Sequence, residues 1–136
     1  MSQRLRVRVA FVVAAVGTIA VGLVVHSGAI VFAPGPRDVL GDALWAMMIA
    51  WWIGALAPDM RLDRRAGLAL VVCWAVEFSQ LYSAPMLDAV RRTTTGQLVL
   101  GSGFDPRDLV AYAVGVLIAL VLEAAMRRPV FVKRLP

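Results

Sequence analysis

The sequence contains one cysteine, one histidine and one lysine, and each scarcity excludes something. A lone Cys73 rules out an intrachain disulfide and leaves the redox compartment unreadable. His26 and Cys73 fall on separate predicted helices, near opposite membrane faces, so no metal-ligand cluster is visible and no metal or cofactor is expected. Charge is sparse, at 17% of 136 residues, and the net +5 is not gathered into a patch. The basic residues instead flank apolar runs, which argues against nucleic acid. Thirteen of the fourteen are arginine, which we ascribe to genomic composition. Internal repeats and low-complexity tracts are missing too, so residues 1–136 read as a single domain.

Apolar residues are abundant. They make up 60% of the chain, against about 45–50% in a soluble domain. A membrane-crossing helix takes roughly 20 apolar residues. Four stretches approach that length, at about 7–26, 39–57, 66–84 and 108–126. The expected fold is all-α: a polytopic membrane protein built as a four-transmembrane-helix bundle, with a short interfacial helix in the third loop. Ten of the fourteen positive charges lie before span one, between spans two and three, and after span four. The positive-inside tendency then puts both termini in the cytoplasm. RLRVRV, the following apolar run and Ser27-Gly28-Ala29 also resemble a signal peptide. The run is long for one, so the reading keeps span one; cleavage would remove His26 and leave the other three spans.

The loops differ in character. APGPRD (33–38) reads as a turn-rich outer loop, because proline and glycine interrupt helices. PDMRLDRR (58–65) is a short inner connection that makes spans two and three antiparallel neighbours. In the third loop, residues 85–100 place Leu87, Val90 and Leu98 among Asp88, Arg91 and Arg92, a pattern suited to an interfacial helix. Three threonines and Gly96 weaken that helix towards its end. Asp105 or Asp108 is able to cap span four. Small residues recur every fourth position: Ala10, Ala14, Thr18 and Gly22, then His26, in span one; Ala46, Ala50 and Gly54, after Asp42, in span two; Ala111, Gly115 and Ala119 in span four. Such rows allow close helix approach in lipid.

Polar groups inside the spans carry the functional argument. Counting from Ala66, Glu77 lies ~16 Å into the membrane, just past the middle of a core ~30 Å thick. Gln80 is one turn further out on the same face. Asp42, Asp108, Tyr112 and His26 also fall in the outer half. Glu123 is read as a solvated partner of Arg127. An ionised carboxylate near mid-bilayer costs at least ~2.5 kcal/mol, so Glu77 is expected to face the bundle interior or to pair with a cation. The outer-loop arginines Arg37, Arg91, Arg92 and Arg107 are candidates, one of them gripping Glu77 or Asp108 in a bidentate contact. Helix-to-helix hydrogen bonding is the bland alternative for Glu77 and Gln80, and helix capping for Asp42 and Asp108. The candidate ligand-binding set is Asp42, Glu77, Gln80, Arg91, Arg92, Asp108 and Tyr112, with no catalytic residue named.

Those residues also carry a resemblance. Glu77-x-x-Gln80, Arg91, and Asp108-Leu-Val-Ala-Tyr-Ala-Val-Gly115 are similar to the signature of VanZ-like membrane proteins, with Tyr112 where that signature has asparagine. LGDALWAMM (40–48), EFSQLYSAPMLDAVR (77–91) and LVLGSGFDPRDLVAYAVG (98–115) more closely resemble an uncharacterised bacterial family, domain of unknown function 2809. The resemblance implies a small, multi-pass bacterial inner-membrane protein. Some VanZ-like members are associated with resistance to glycopeptide or lipoglycopeptide antibiotics. Glu77, Gln80, Arg91 and Asp108 carry over residue by residue, with Asp42 added from the closer family.

Several functions compete. The favoured one is an accessory protein whose outward-facing polar pocket binds a membrane lipid, such as an anionic headgroup or a polyprenyl-linked envelope precursor. A lipid-modifying enzyme is less favoured, because there is no nucleophile beside a base, no metal set and no phosphate-cradling glycine loop. A proton-coupled oligomeric transporter is a third class, although small multidrug exporters carry their glutamate in the first helix. A structural subunit with a protein partner or a second copy of the chain is the fourth, and the tryptophans Trp45, Trp51, Trp52 and Trp74 would serve its contacts or plain packing.

Overall fold

The computed structural model describes residues 2–101 and 103–132, the last six of them (127–132) as backbone only. Among the described residues the protein is all-α, with six helices: α1 (Gln3–Ser27), α2 (Pro34–Leu56), α3 (Leu62–Ser79), α4 (Pro85–Arg91), α5 (Thr94–Leu100) and α6 (Pro106–Val132). Local chemistry sets their ends. Ser2 accepts the Leu5 N–H to open α1, and Gly28, at φ 75°, closes it in the left-handed conformation. Helix α2 begins at Pro34, five residues before the expected start of span two. Proline is tolerated in a first turn, where its missing N–H has no intrahelical partner, so APGPRD is mostly helix and not loop. Asp105 opens α6, its Oδ1 accepting the Arg107 N–H at 2.9 Å.

Three helices are long and apolar enough to cross a membrane: α1, α2 and the Pro106–Met126 part of α6, with mean hydropathies of 2.4, 1.6 and 2.3. The expected fourth, α3, has 18 residues and carries Asp63, Arg64, Arg65 and Glu77. At ~1.5 Å per residue it reaches ~27 Å, slightly short of a ~30 Å core. Helix α2 packs against α1, α3 and α6, and α3 also packs against α6. Exposed positions on the long helices are valines and leucines, such as Val13, Val16, Leu117 and Val121, while Arg65, Glu77 and Glu123 are buried. Apolar side chains outside and hydrogen-bonded or paired charged groups inside fit a membrane protein.

The small-residue rows of α2 and α6 form their crossing. Ala46, Ala50, Gly54, Ala111, Gly115 and Ala119 are all buried. A Cβ on Gly115 would overlap the Ala43 carbonyl, so the two backbones meet there without room for any side chain. On α1 the expected row is not the buried one. Ala10 is exposed and Ala14, Thr18 and Gly22 are half-buried, whereas Phe11, Ala15 and Val25 are buried. The Phe11 ring lies flush on Gly54 and 6.0 Å from the Trp51 ring, so a large side chain fitted to a gap replaces the small-on-small contact.

The single interfacial helix expected at 85–100 is two short helices, α4 and α5. Thr93 breaks the run by capping α5, its hydroxyl accepting the Gly96 N–H at 3.0 Å. Gly96 is then required, because a Cβ there would overlap the Val90 carbonyl.

Charge is handled differently at the two ends of the bundle. Glu123 is 3% exposed and Arg65 1%, and the two form a buried ion pair. The expected solvated Glu123 is thus corrected: Arg65, counted as a loop charge, enters the interior instead. Its guanidinium also donates to the Met60 carbonyl at 3.1 Å and the Ala57 carbonyl at 3.4 Å, and lies 4.8 Å above the Phe11 ring. One side chain therefore ties α3 to α6, to the α2–α3 turn and to α1.

Candidate functional site

The opposite end gathers the predicted polar residues. Helix α3 delivers Glu77 in its last turn, α6 delivers Tyr112 one turn after Asp108, and the turn before α6 delivers Asp105. Glu77 is fully buried. Its Oε1 accepts the Asp105 backbone N–H at 2.7 Å, and its Oε2 accepts the Tyr112 hydroxyl at 3.0 Å and the Gln80 amide at 3.1 Å. The three donors are neutral. The expected arginine grip is therefore corrected: a buried carboxylate can be satisfied by enough hydrogen bonds without a counter-ion.

Arg91 has a different task. Its side chain is 10% exposed and donates to the Ser79 carbonyl at 2.6 Å and the Tyr82 carbonyl at 2.9 Å, with Asp88 at 3.4 Å. These bonds close the C-terminal end of α3, adding a second donor to the Ser79 carbonyl, which also accepts the Tyr82 N–H at 3.0 Å, and tying in the Tyr82 carbonyl of the turn that follows. Arg37 faces Asp38 at 3.9 Å. Arg107 is exposed, and its backbone N–H bonds Asp105. Thus Glu77 and Gln80 lie together, while Arg91 reaches neither Glu77 nor Asp108.

A half-open cavity of about 640 Å³ lies between α1, α2, α5 and α6, lined by Asp42, Gln80, Asp108 and Tyr112 among others. Glu77 does not line it and sits behind Gln80 and Tyr112. Asp42 and Asp108 face each other within hydrogen-bonding reach. Trp45 and Tyr112, both in the wall, bring their rings to 5.7 Å. The rest of the wall is mixed: Leu23, Leu44 and Met48 are apolar, while His26, Arg37, Asp38, Gln97 and Asp105 are polar or charged. A second cavity, of about 420 Å³, holds Arg91 and Arg92 with Ser83 and Asp88, and shares Gln80 and Gln97 with the first.

Residues 32–116 match the model of a family described as a protein of unknown function (DUF2809). The chain belongs to that family. The DUF2809 segment runs from just before α2 to Val116, so it contains the seven predicted site residues and both cavities' α4–α5 wall, whereas α1 and Glu123 fall outside it. No solved structure matches the chain.

Within the DUF2809 segment, sequence reasoning missed Asp105 as a donor to Glu77, having read it only as a cap. It also missed Gly101 and Gln97. Gly101 has φ 69°, and a Cβ on it would overlap the Gln80 amide, so the glycine makes room for the side chain that orients Glu77. The signal was present in the sequence as Gly101 and Gly103, two glycines shortly before Asp105. Gln97 carried none, because a lone glutamine in a loop has no distinguishing pattern.

Proposed function

We propose that the chain is a small bacterial inner-membrane protein that binds the polar head of a membrane lipid in the larger cavity, and that it acts by binding, not catalysis. In this reading α3 is a fourth crossing and both termini are cytoplasmic. Arg4, Arg6, Arg8, Arg61 and Arg64 at one end support that orientation, even with Arg65 discounted as buried. The cavity then opens towards the extracytoplasmic leaflet. The observation that carries the proposal is its mixed wall: Leu23, Leu44 and Met48 suit an acyl or polyprenyl chain, while Asp42, Asp108 and Gln80 offer acceptors to a head.

The wall also alters the expected ligand. Asp38, Asp42, Asp105 and Asp108 stand against Arg37, so the head meeting this cavity donates hydrogen bonds, as hydroxyl or ammonium groups do. An envelope precursor and an accessory role of the VanZ-like kind fit that chemistry. Native mass spectrometry of the purified protein tests it. Wild type is expected to retain lipid that Asp42→Asn/Asp108→Asn loses; equal retention by both sinks the proposal.

The facing Asp42 and Asp108 also favour a second reading, proton-coupled transport. Proteoliposomes driven by a pH gradient would then show flux that disappears in Asp108→Asn.

A further inference from the structure

The two cavities differ in charge and share a wall. In the larger one Asp38 is already faced by Arg37 at 3.9 Å, which leaves Asp42, Asp105 and Asp108 to set its sign, with Asp42 and Asp108 the deeper two. In the smaller one Asp88 is occupied, accepting the Ser83 hydroxyl at 2.6 Å and facing Arg91 at 3.4 Å. Arg92 lines the same space and makes no ion pair with any described residue, so its charge is left over. Gln80 and Gln97 stand between the two compartments. Two polar atoms near this partition are buried without a hydrogen bond: Gln80 Oε1, an acceptor, and Arg91 Nε, a donor on a side chain only 10% exposed. A buried polar atom is costly to leave without a partner. One lacks a donor and the other an acceptor, but both are closed off from the cavities, so what the partition leaves open to a ligand is the Arg92 charge on one side and the Asp42 and Asp108 carboxyls on the other.

We propose that the smaller cavity is a phosphate subsite, and that the two cavities together hold a zwitterionic head in which a phosphate diester is linked to an ammonium group. The inference rests on the lipid-head reading above and narrows its ligand class. Arg92 supplies the charge-assisted contact to phosphate, which suits a guanidinium. Asp42 and Asp108 receive the ammonium. A purely anionic head satisfies only the Arg92 side and meets two carboxyls on the other. A neutral sugar head satisfies only the acidic side.

The test titrates delipidated protein with phosphatidylethanolamine, phosphatidylglycerol and a diglucosyl diacylglycerol, read by native mass spectrometry. Arg91 is left intact because it caps α3, while Arg92 is exposed and replaceable without harm to the fold. Wild type is expected to prefer the ethanolamine lipid. Arg92→Gln is expected to weaken it about tenfold, the loss of one charge-assisted bond, and to leave the sugar lipid unchanged. Asp42→Asn/Asp108→Asn should reduce binding of the ethanolamine lipid more than of the glycerol lipid. If Arg92→Gln has no effect, or the sugar lipid binds as well as the zwitterion, the phosphate subsite is refuted while the lipid-head reading stands. If wild type retains none of the three, both fall. Free phosphoethanolamine that competes as strongly as the whole lipid preserves the zwitterion and overturns the membrane as its source.

Discussion

Replacing Arg65 by leucine removes the connector between four parts of the fold, and the cost can be built from its contacts. Breaking a buried ion pair from one side typically costs about 3–5 kcal/mol, because the other charge stays inside and loses the opposite charge that offset its burial. Arg65 and Glu123 are 1% and 3% exposed, so solvent screening gives little relief. Arg65→Leu also removes the donor to the Met60 carbonyl, the second donor to the Ala57 carbonyl and the cation above Phe11, which puts it at or above ~5 kcal/mol. Glu123→Leu is milder, about 3 kcal/mol, since Arg65 keeps its carbonyls and the aromatic face. The double replacement should cost less than the sum of the two, with a coupling of at least ~2 kcal/mol. Unfolding of the purified protein in mixed micelles of dodecyl maltoside and increasing dodecyl sulfate measures all four corners of this cycle. Single costs below ~1 kcal/mol, the range of an exposed pair, would refute the buried connector.

Three further outcomes follow from the geometry. Glu77→Leu leaves the Asp105 N–H, the Tyr112 hydroxyl and the Gln80 amide without an acceptor, at about 1–3 kcal/mol each; Glu77→Gln and Tyr112→Phe each disturb fewer of these bonds, so micelle unfolding should rank Glu77→Leu well above both. Gly115→Ala drives a methyl into the Ala43 carbonyl, whereas Gly17→Ala meets nothing within 4 Å; the first should lower the thermal midpoint by several degrees, as about 1–3 kcal/mol of overpacking does, and the second should leave it unchanged or raise it. Arg91→Gln uncovers the Ser79 and Tyr82 carbonyls, so hydrogen exchange should quicken from residue 79 through α4 while α2 keeps its protection.

The long helices were legible because a span needs an unbroken apolar run, and α1, α2 and α6 have one. Their small-residue rows were only partly informative. On α2 and α6 the alanines and glycines mark the crossing, since Gly115 must meet the Ala43 backbone. On α1 the expected row is not the buried one, because Phe11, filling the space over Gly54, turns its own face inward. Spacing along one helix does not reveal what a second helix offers at the same height. For the same reason the burial of Glu77 could be read from the chain and its partners could not. A buried carboxylate demands satisfaction, but sequence does not say whether a cation or three neutral donors provide it. Arg65 was misread because charge counting treats every basic residue near a span as a solvated flank. The carboxylate of Glu123, at the same end of α6, was the available hint that one of them turns inward.

The two ends of the bundle satisfy their buried carboxylates by opposite means, and this bears on where a ligand can act. At the Arg65 end an ion pair, backbone carbonyls and the Phe11 ring fill the interior. Nothing can enter without breaking several bonds held by one side chain. At the Glu77 end the carboxylate is held by Gln80, Tyr112 and the Asp105 backbone, and two of those three groups are themselves side chains lining the larger cavity. A molecule that engages Gln80 or Tyr112 must therefore compete with, or reinforce, the bonds that keep Glu77 buried. Binding in that cavity is coupled by direct contact to the junction of α3 with α6, while the Arg65 end stays pinned. Any rearrangement that a ligand brings about has to open from the cavity end, with the opposite ends of α3 and α6 as its fixed point.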